Sequence, residues 1–466
     1  MIENCFRKIR PFWVAVTLLF VLLTQVSCGN DNDFETGGQN PGGEVPEETL
    51  FLPLIEINSV GAIVDEPKVR STMKITEDGE ITYEGIAGIE IRGASSQMFD
   101  KKSYGLETWD NNNEDINVSL MGMPEEEDWV LHGPYSDKSL IRNKLIYDLS
   151  SDIGRYASRT RFVELIINGD YKGVYVFMEK LKRDKNRIDI SKLNPDENSG
   201  EDLTGGYILK IDKIAGNNLG EGYNDQNSFA SNVPAPYAGG GEIRFLYEYP
   251  DAEDISTEQK AYIQQYLHDF EEALSSDDFR DPDAGYAAYI DIESFIDFFI
   301  LNEISHNVDG YRLSTFMHKD KSGKLNMGPI WDFNLAFGNA DYCGGGNTNT
   351  WAYRFNERCP GDFWSVPFWW YRLLEDPYFV QELKTRWASY RGNVLSDQAV
   401  LARIASYQSE MQDVDAINRN FSKWSILGNY IWPNNFVGTT YTSERIYMEE
   451  WITDRLNWLD NAISGL

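Results

Sequence analysis

Residues 291–338 have the sequence DIESFIDFFILNEISHNVDGYRLSTFMHKDKSGKLNMGPIWDFNLAFG, in which four features follow one another. Residues 292–304 are apolar on nearly all sides of a helix, as expected for a helix buried in the middle of a domain. A loop with Asp309 comes next, then a predicted hairpin between residues 311 and 327, then Asp332. This order places two carboxylates in the loops on either side of a hairpin.

The rest of the chain changes character near residue 250. Before it, β-branched and aromatic residues between turn signals predict strands, and one helix is predicted at about 136–153. After it, apolar residues recur at helical spacing. The predicted strands are 51–57, 81–92, 103–109, 162–167, 173–178 and 206–211, and the later helices are about 256–274, 377–391, 397–411 and 443–463. We therefore expect an α+β protein with a β-rich part at 49–250 and a helical part at 251–466.

The amino terminus predicts export. Basic residues precede an apolar run at 12–23, which is too short to span a bilayer comfortably. The sequence TQVSC at 24–28 resembles the site where a bacterial peptidase cuts before a lipidated cysteine. Residues 1–27 are then a lipoprotein signal peptide, Cys28 carries the lipid, and residues 28–48 form a flexible acidic tether. The alternative is an ordinary secretory peptide cut nearby.

Acidic residues directly after Cys28 resemble the surface-export signals of Bacteroidetes-type lipoproteins. The expected location is therefore the outer membrane or cell surface, with the protein held by a lipid anchor. The formal net charge of −32 repels nucleic acid and disfavours a DNA-binding role. Once Cys5 is removed and Cys28 is lipidated, Cys343 and Cys359 remain, and an exported protein favours a disulfide between them.

Several segments spread over most of residues 85–340 resemble one known family. They are RGASS at 92–96, KKSY at 101–104, WVLHGPYSDKSLIRN at 129–143, NGDYKGVY at 168–175 and PIWDFNLAFG at 329–338. Together they resemble the spore coat protein H (CotH) family of atypical kinase-like proteins. The resemblance implies an atypical protein-kinase-like fold, with a β-rich N-terminal lobe and a helical C-terminal lobe.

The resemblance also implies a set of catalytic and metal-binding residues. Asp309 is expected to be the base that positions an acceptor hydroxyl, and Asp332 to be a ligand of Mg²⁺, with ATP as the cofactor. A protein kinase has an asparagine five residues beyond its catalytic aspartate, where this chain has Ser314. Asn334 is the expected substitute for that asparagine.

A cation is also expected on the nucleotide phosphates. Lys102, on a predicted strand, is the first candidate, followed by Lys180 and Lys210. Glu179 is expected to orient such a lysine through an ion pair. Arg142 either meets phosphate or pairs with a structural carboxylate.

Three functions remain open. The first is transfer of phosphate from a nucleotide to a serine or threonine of a surface protein. The second is a non-catalytic surface or adhesin lipoprotein that keeps a kinase-like fold. The third is a glycan-binding or glycoside-cleaving protein, which the 14% aromatic content favours, notably Trp364, Trp369 and Trp370, because exposed aromatic faces stack on sugars. No Walker A loop, His-Glu-x-x-His zinc site or Gly-x-Ser-x-Gly elbow is present.

Overall fold

The structure is a computed structural model that describes residues 50–214, 222–239 and 241–466. The predicted signal peptide, the lipidated Cys28 and the acidic tether therefore lie outside the described residues. Within the described ranges, none of the helices has both the length and the hydrophobicity of a bilayer-spanning segment.

In residues 54–179, seven strands form a closed barrel in the order β1-β2-β3-β4-β5-β7-β6. The barrel closes where β1 pairs in parallel with β6, with Leu54 opposite Glu164. Alternate side chains point inward, so that Ile55, Ile75 and Ile89 have no exposed surface. The strands are β1 Leu54–Ser59, β2 Val69–Glu77, β3 Glu80–Arg92, β4 Ser103–Trp109, β5 Asp128–His132, β6 Thr160–Ile167 and β7 Asp170–Glu179.

A second sheet joins the two halves of the chain. In the described residues it has five strands in the order β12-β11-β8-β10-β9. The central strand β8 pairs with β11 from the helical half, Met317 opposite Leu209. The expected boundary near residue 250 therefore cuts through one hydrogen-bonded sheet. The strands are β8 Tyr207–Ile211, β9 Ser228–Ala230, β10 Arg244–Tyr249, β11 Thr315–Lys319 and β12 Leu325–Met327.

Helices dominate the C-terminal half, which confirms the mixed α+β architecture with its sheet-rich N-terminal region. The most buried is α3, in which every residue from Ser294 to Ser305 is buried. Asp291 begins α3 by accepting a hydrogen bond from the backbone N–H of Ser294. The helices are α1 Arg142–Asp152, α2 Thr257–Ser275, α3 Ile292–Ser305, α4 Phe355–Arg358, α5 Trp369–Leu373, α6 Pro377–Arg391, α7 Asp397–Gln412, α8 Ala416–Lys423 and α9 Tyr441–Ser464.

Helix α1 begins six residues later than the periodicity predicts. The Asp137 carboxylate accepts hydrogen bonds from the backbone N–H groups of Ser139 and Arg142, at 3.1 and 2.9 Å. Leu140 has a φ of 68°. These local contacts give residues 137–141 an alternative to helical hydrogen bonds, and the helix starts only after them.

Two features of the C-terminal half bear on the sequence predictions. Cys343 and Cys359, predicted to pair, are bonded to each other in the structure, with Cα atoms 5.6 Å apart. Trp369 and Trp370 are fully buried in the core, at 0% and 1% exposure. They therefore offer no face to a sugar, and their part in the glycan hypothesis was wrong.

Candidate active site

A cleft of about 490 Å³ lies between the barrel and the second sheet. It contains Asp309 and Asp332 together with Ser314, Asn334 and Lys180, all of which the sequence predicts as site residues. The cleft is also lined by further charged residues, and of these the sequence analysis had named only Lys210. They are Asp65, Glu66, Glu90, Asp128, Asp212, Glu248, Lys68, Arg92, Lys210 and Lys213.

Asp309 lies in the loop between α3 and β11. The loop begins because His306 adopts a left-handed conformation, with a φ of 44°, at the end of the buried helix. Arg312 donates from Nη2 to Asp309 Oδ1 at 2.8 Å, and the Tyr342 hydroxyl donates to the same oxygen at 3.3 Å. The loop thus projects one carboxylate into the cleft with one of its oxygens held.

Asp332 lies in the segment that follows β12, and α1 holds this segment in place. The backbone N–H of Asp332 donates to the Tyr147 hydroxyl at 3.1 Å. The next backbone N–H, of Phe333, donates to Asn143 Oδ1 at 2.7 Å. No described residue donates a hydrogen bond to the Asp332 carboxylate, which is open to the cleft. The segment is fixed through its backbone, and the carboxylate is left for a ligand.

Asp212 is another carboxylate that lines the cleft, and the sequence prediction did not include it. It follows β8, and it accepts a hydrogen bond from the backbone N–H of Lys213 at 2.8 Å. The Ser314 hydroxyl lies 3.5 Å from its second oxygen. The sequence offered one signal for Asp212, which is its position directly after the predicted strand 206–211. In the structure this strand is β8, and it pairs with β11, the strand that follows Asp309.

Asp309 and Asp212 both act electrostatically on Asp332. Loss of surrounding water raises the pKa of the Asp332 carboxyl to about 6, and repulsion from Asp309 and Asp212 acts in the same direction. Burial likewise raises the pKa of Asp212, while Lys210 opposes the shift. Asp332 therefore holds its proton more tightly than an ordinary aspartate, and a bound cation would relieve the repulsion.

The cations of the cleft differ in how far they are already paired. Lys210 binds Glu248 at 2.8 Å, and Lys180 binds Asp128 at 3.4 Å. Lys68 lies 3.7 Å from Glu90. Across residues 50–214, 222–239 and 241–466, no carboxylate oxygen lies within 4.0 Å of the two remaining cations of the cleft, Arg92 and Lys213.

Each of these two unpaired cations lies against an aromatic ring. The Arg92 guanidinium lies 5.6 Å from the Trp331 ring centre, and Lys213 lies 4.9 Å from that of Trp364. Both cations also lower the pKa of Asp332, although less than the loss of surrounding water in the cleft raises it. Sequence reasoning missed both as site residues, although Arg92 begins the RGASS segment.

Three other predicted nucleotide-binding residues lie outside the lining of the cleft. Lys102 donates to the backbone carbonyls of Gln97 and Phe99, at 2.7 and 2.6 Å. Glu179 is fully buried and binds Arg159 at 2.8 Å. The structure therefore brings neither of these two side chains to the carboxylates.

Arg142, the third of them, is buried and pairs with Asp137 at 2.5 Å. It also donates to the carbonyl of Ala336 at 3.0 Å. It thus takes the second of its two predicted roles, pairing with a structural carboxylate, and supports the segment that carries Asp332.

Among the described residues, one carboxylate cluster is compact enough to surround a single ion without rearrangement, and it consists of Glu126, Glu127 and Asp128. Lys182 already binds all three, at 3.0, 2.6 and 3.1 Å. Asp212, Asp309 and Asp332 do not form such a compact group. An ion in the cleft would therefore be shared between some of these carboxylates and other oxygen ligands.

Comparison with known proteins identifies the family. Residues 89–459 match the sequence model of the family described as CotH kinase protein. Inner spore coat protein H of Bacillus subtilis (strain 168) is 30% identical over 122 residues, which cover 26% of this chain and 29% of that protein. The match thus spans less than a third of that relative. The family match covers most of the chain, including Asp212, Asp309 and Asp332 of the cleft, and the chain therefore belongs to the CotH kinase protein family.

Proposed function

We propose that this protein is an atypical kinase that transfers phosphate from ATP to a serine or threonine hydroxyl of a surface protein. The observation that carries the proposal is the composition of the cleft. Asp309, Asp332 and Asp212 lie in the same cleft as Arg92 and Lys213, two cations with no carboxylate partner among the described residues. Phosphoryl transfer needs carboxylates for a metal and for the acceptor, and cations for phosphate.

The donor set fits Mg²⁺. Asp332 and Asp212 offer carboxylate oxygens, Ser314 a hydroxyl and Asn334 an amide oxygen, and all four line the cleft. Mg²⁺ prefers oxygen ligands and keeps several waters, so it does not need a compact cage of carboxylates. The unpaired carboxylate of Asp332, with its raised pKa, also fits a cation. Bound Mg²⁺ would neutralise charge on the phosphates.

Residues of the protein itself would bind the phosphates and accept the proton of the acceptor. Arg92 and Lys213 would bind the phosphate oxygens of ATP. Asp309 would accept the proton of the acceptor hydroxyl as that oxygen forms its bond to the γ-phosphorus, while the bond from phosphorus to the ADP oxygen breaks. The products are the phosphorylated hydroxyl and ADP, and the proton is left on Asp309. The acceptor side of the cleft thus depends on Asp309 and the nucleotide side on Asp332.

The first test is binding of ATP by the full chain, with and without Mg²⁺, measured by calorimetry. We expect binding that requires Mg²⁺ in the parent and is lost in Asp332→Ala, because the substitution removes a charged metal ligand. The control is Asp283→Ala, which removes an exposed carboxylate outside the cleft. Absence of Mg²⁺-dependent ATP binding in the parent would contradict the proposal.

Asp309→Ala should behave differently from Asp332→Ala. It should still bind MgATP, while transfer of phosphate to casein falls roughly 100-fold or more, as is typical when a positioned base is lost. Transfer is followed with radiolabelled ATP. Equal losses of ATP binding in the two variants would contradict the division of roles between Asp309 and Asp332.

The second candidate is a non-catalytic surface protein. Ser314 stands where a protein kinase has an asparagine, and hydroxyl oxygen is a weaker metal ligand. Unchanged ATP binding in Asp332→Ala would favour this candidate. In both cases the proposed location is the cell surface, with Cys28 as the lipid anchor.

A further inference from the structure

Both hydrogen bonds to Asp309 use the same carboxylate oxygen. Arg312 and the Tyr342 hydroxyl each donate to Oδ1, at 2.8 and 3.3 Å. No described residue donates to Oδ2. A carboxylate held at one oxygen has a fixed orientation, and its other oxygen remains available to an acceptor hydroxyl.

Tyr342 is itself held by the loop that carries Trp432. The two rings are parallel within 3°, with centres 6.2 Å apart, and Trp432 also lines the cleft. The backbone N–H of Asp341 donates to the Pro433 carbonyl at 2.9 Å, and the Tyr430 hydroxyl donates to Asp341 at 2.7 Å. Burial, and then the charge of Asp309, raise the pKa of the Tyr342 hydroxyl, so that it remains protonated and acts as a donor.

The disulfide lies next to this contact in the chain. Cys343 follows Tyr342 directly, and its bond to Cys359 closes a loop with a sequence separation of 16 residues. Inside that loop, the Phe355 ring lies 3.9 Å from the Arg312 guanidinium. Just beyond it, Asp362 accepts a hydrogen bond from Arg312 at 3.2 Å. Arg312 therefore contacts the segment that the disulfide closes, and Tyr342 directly adjoins it.

We propose that Tyr342 is a positioning residue for Asp309, and that the Cys343–Cys359 disulfide holds Tyr342 against that carboxylate. The inference rests on the proposed function, because it assigns a partner to the proposed base. The hydroxyl of Tyr342 orients Asp309 so that Oδ2 faces the acceptor. Reduction of the disulfide leaves Tyr342 held only by its contacts with the Trp432 loop, so that the acceptor side of the site loses its geometry while the Asp332 side keeps its own.

The test compares Tyr342→Phe with Tyr378→Phe in the full chain, with MgATP and casein as probes. Tyr342→Phe keeps the ring on Trp432 and removes only the hydroxyl. We expect kcat to fall about 10-fold, the loss expected for one hydrogen bond to a charged group. The Kd and KM for MgATP should be unchanged. Tyr378→Phe removes the hydroxyl of an exposed tyrosine of α6 that lies outside the cleft, and it should match the parent.

A double-mutant cycle tests the part played by the disulfide. The Cys343→Ser/Cys359→Ser variant should also lose kcat and keep its affinity for MgATP. If both changes act through the same contact, adding Tyr342→Phe to it lowers kcat no further. Parent-like kcat in Tyr342→Phe, or effects of the two changes that multiply, would overturn the inference.

The outcome also separates the inference from the proposed function. A parent that transfers phosphate to neither casein nor water would refute both. A parent that transfers phosphate while Tyr342→Phe is unaffected would refute only the positioning role.

Discussion

At the scale of single residues, His132 shows how the cleft changes the ionisation of a side chain. It lies on β5 and lines the cleft, and burial lowers the pKa of its imidazole to about 4, with Asp137 opposing the shift. The unfolded chain takes up the proton near pH 6.5, whereas the folded chain does so only near pH 4. Between these two pH values the unfolded chain binds a proton that the folded chain does not bind. The free energy of unfolding therefore decreases as the pH falls from about 6.5 toward 4.

The prediction from this shift is a difference in pH dependence between the parent and His132→Gln. Between pH 7 and pH 5, the parent should lose about 2 kcal/mol more free energy of unfolding than the variant. Urea denaturation at both pH values measures this difference. His268→Gln, at a histidine outside the cleft, is the control. Equal losses in the parent and His132→Gln would contradict the prediction.

At the scale of secondary structure elements, α1 positions Asp332 from behind. Asn143 and Tyr147 bind the backbone of the Asp332 segment, and Arg142 binds Ala336 further along it. Helix α1, which lies behind the cleft, therefore fixes the geometry of its Asp332 side.

The α1 contacts predict the effect of Arg142→Met. It should lower the free energy of unfolding by about 3–5 kcal/mol, because it leaves Asp137 buried without its charged partner. The folded variant should also bind MgATP more weakly than the parent, because Arg142 holds the segment that carries Asp332. Arg161→Met, which removes an exposed arginine of β6, is the control for loss of a charge. An Arg142→Met protein with the same free energy of unfolding and the same affinity for MgATP as the parent would contradict the prediction.

At the scale of the whole molecule, the second sheet makes the two halves of the chain interdependent. Strand β8, which ends just before Asp212, hydrogen-bonds to β10 on one side and to β11 on the other. Asp309 and Asp332 lie in the segments just before β11 and just after β12. The cleft therefore exists only when the two halves are joined.

This interdependence predicts the behaviour of a fragment that ends at residue 250. Without β11, one edge of β8 is unpaired, and an exposed hydrophobic strand edge favours aggregation. We expect the fragment to aggregate or to exchange its β8 amide protons rapidly. The full chain should protect the same protons, as measured by hydrogen exchange. A monomeric fragment with full protection in β8 would contradict the prediction.

The sequence by itself determined the local structure and the main catalytic candidates. The apolar residues of 292–304 predicted α3, and strands β3, β4, β6, β7 and β8 follow from runs of β-branched and aromatic residues. Asp309 and Asp332 were predicted from their order around a hairpin and from the family resemblance, and the structure brings both into one cleft. Local periodicity depends on neighbours a few residues apart, so sequence alone carries it.

Only the tertiary structure decided the closure of the barrel, the joining of the two halves and which charged residues line the cleft. The β1–β6 pairing connects residues 54 and 164, and the β8–β11 pairing connects residues 209 and 317. Nothing in a local pattern specifies such partners. Lys102 and Arg142 looked like phosphate ligands by type, whereas Arg92, Lys213 and Asp212 were overlooked. The role of a charged side chain depends on which opposite charges and carbonyls lie within about 4 Å of it, and long-range packing sets those distances.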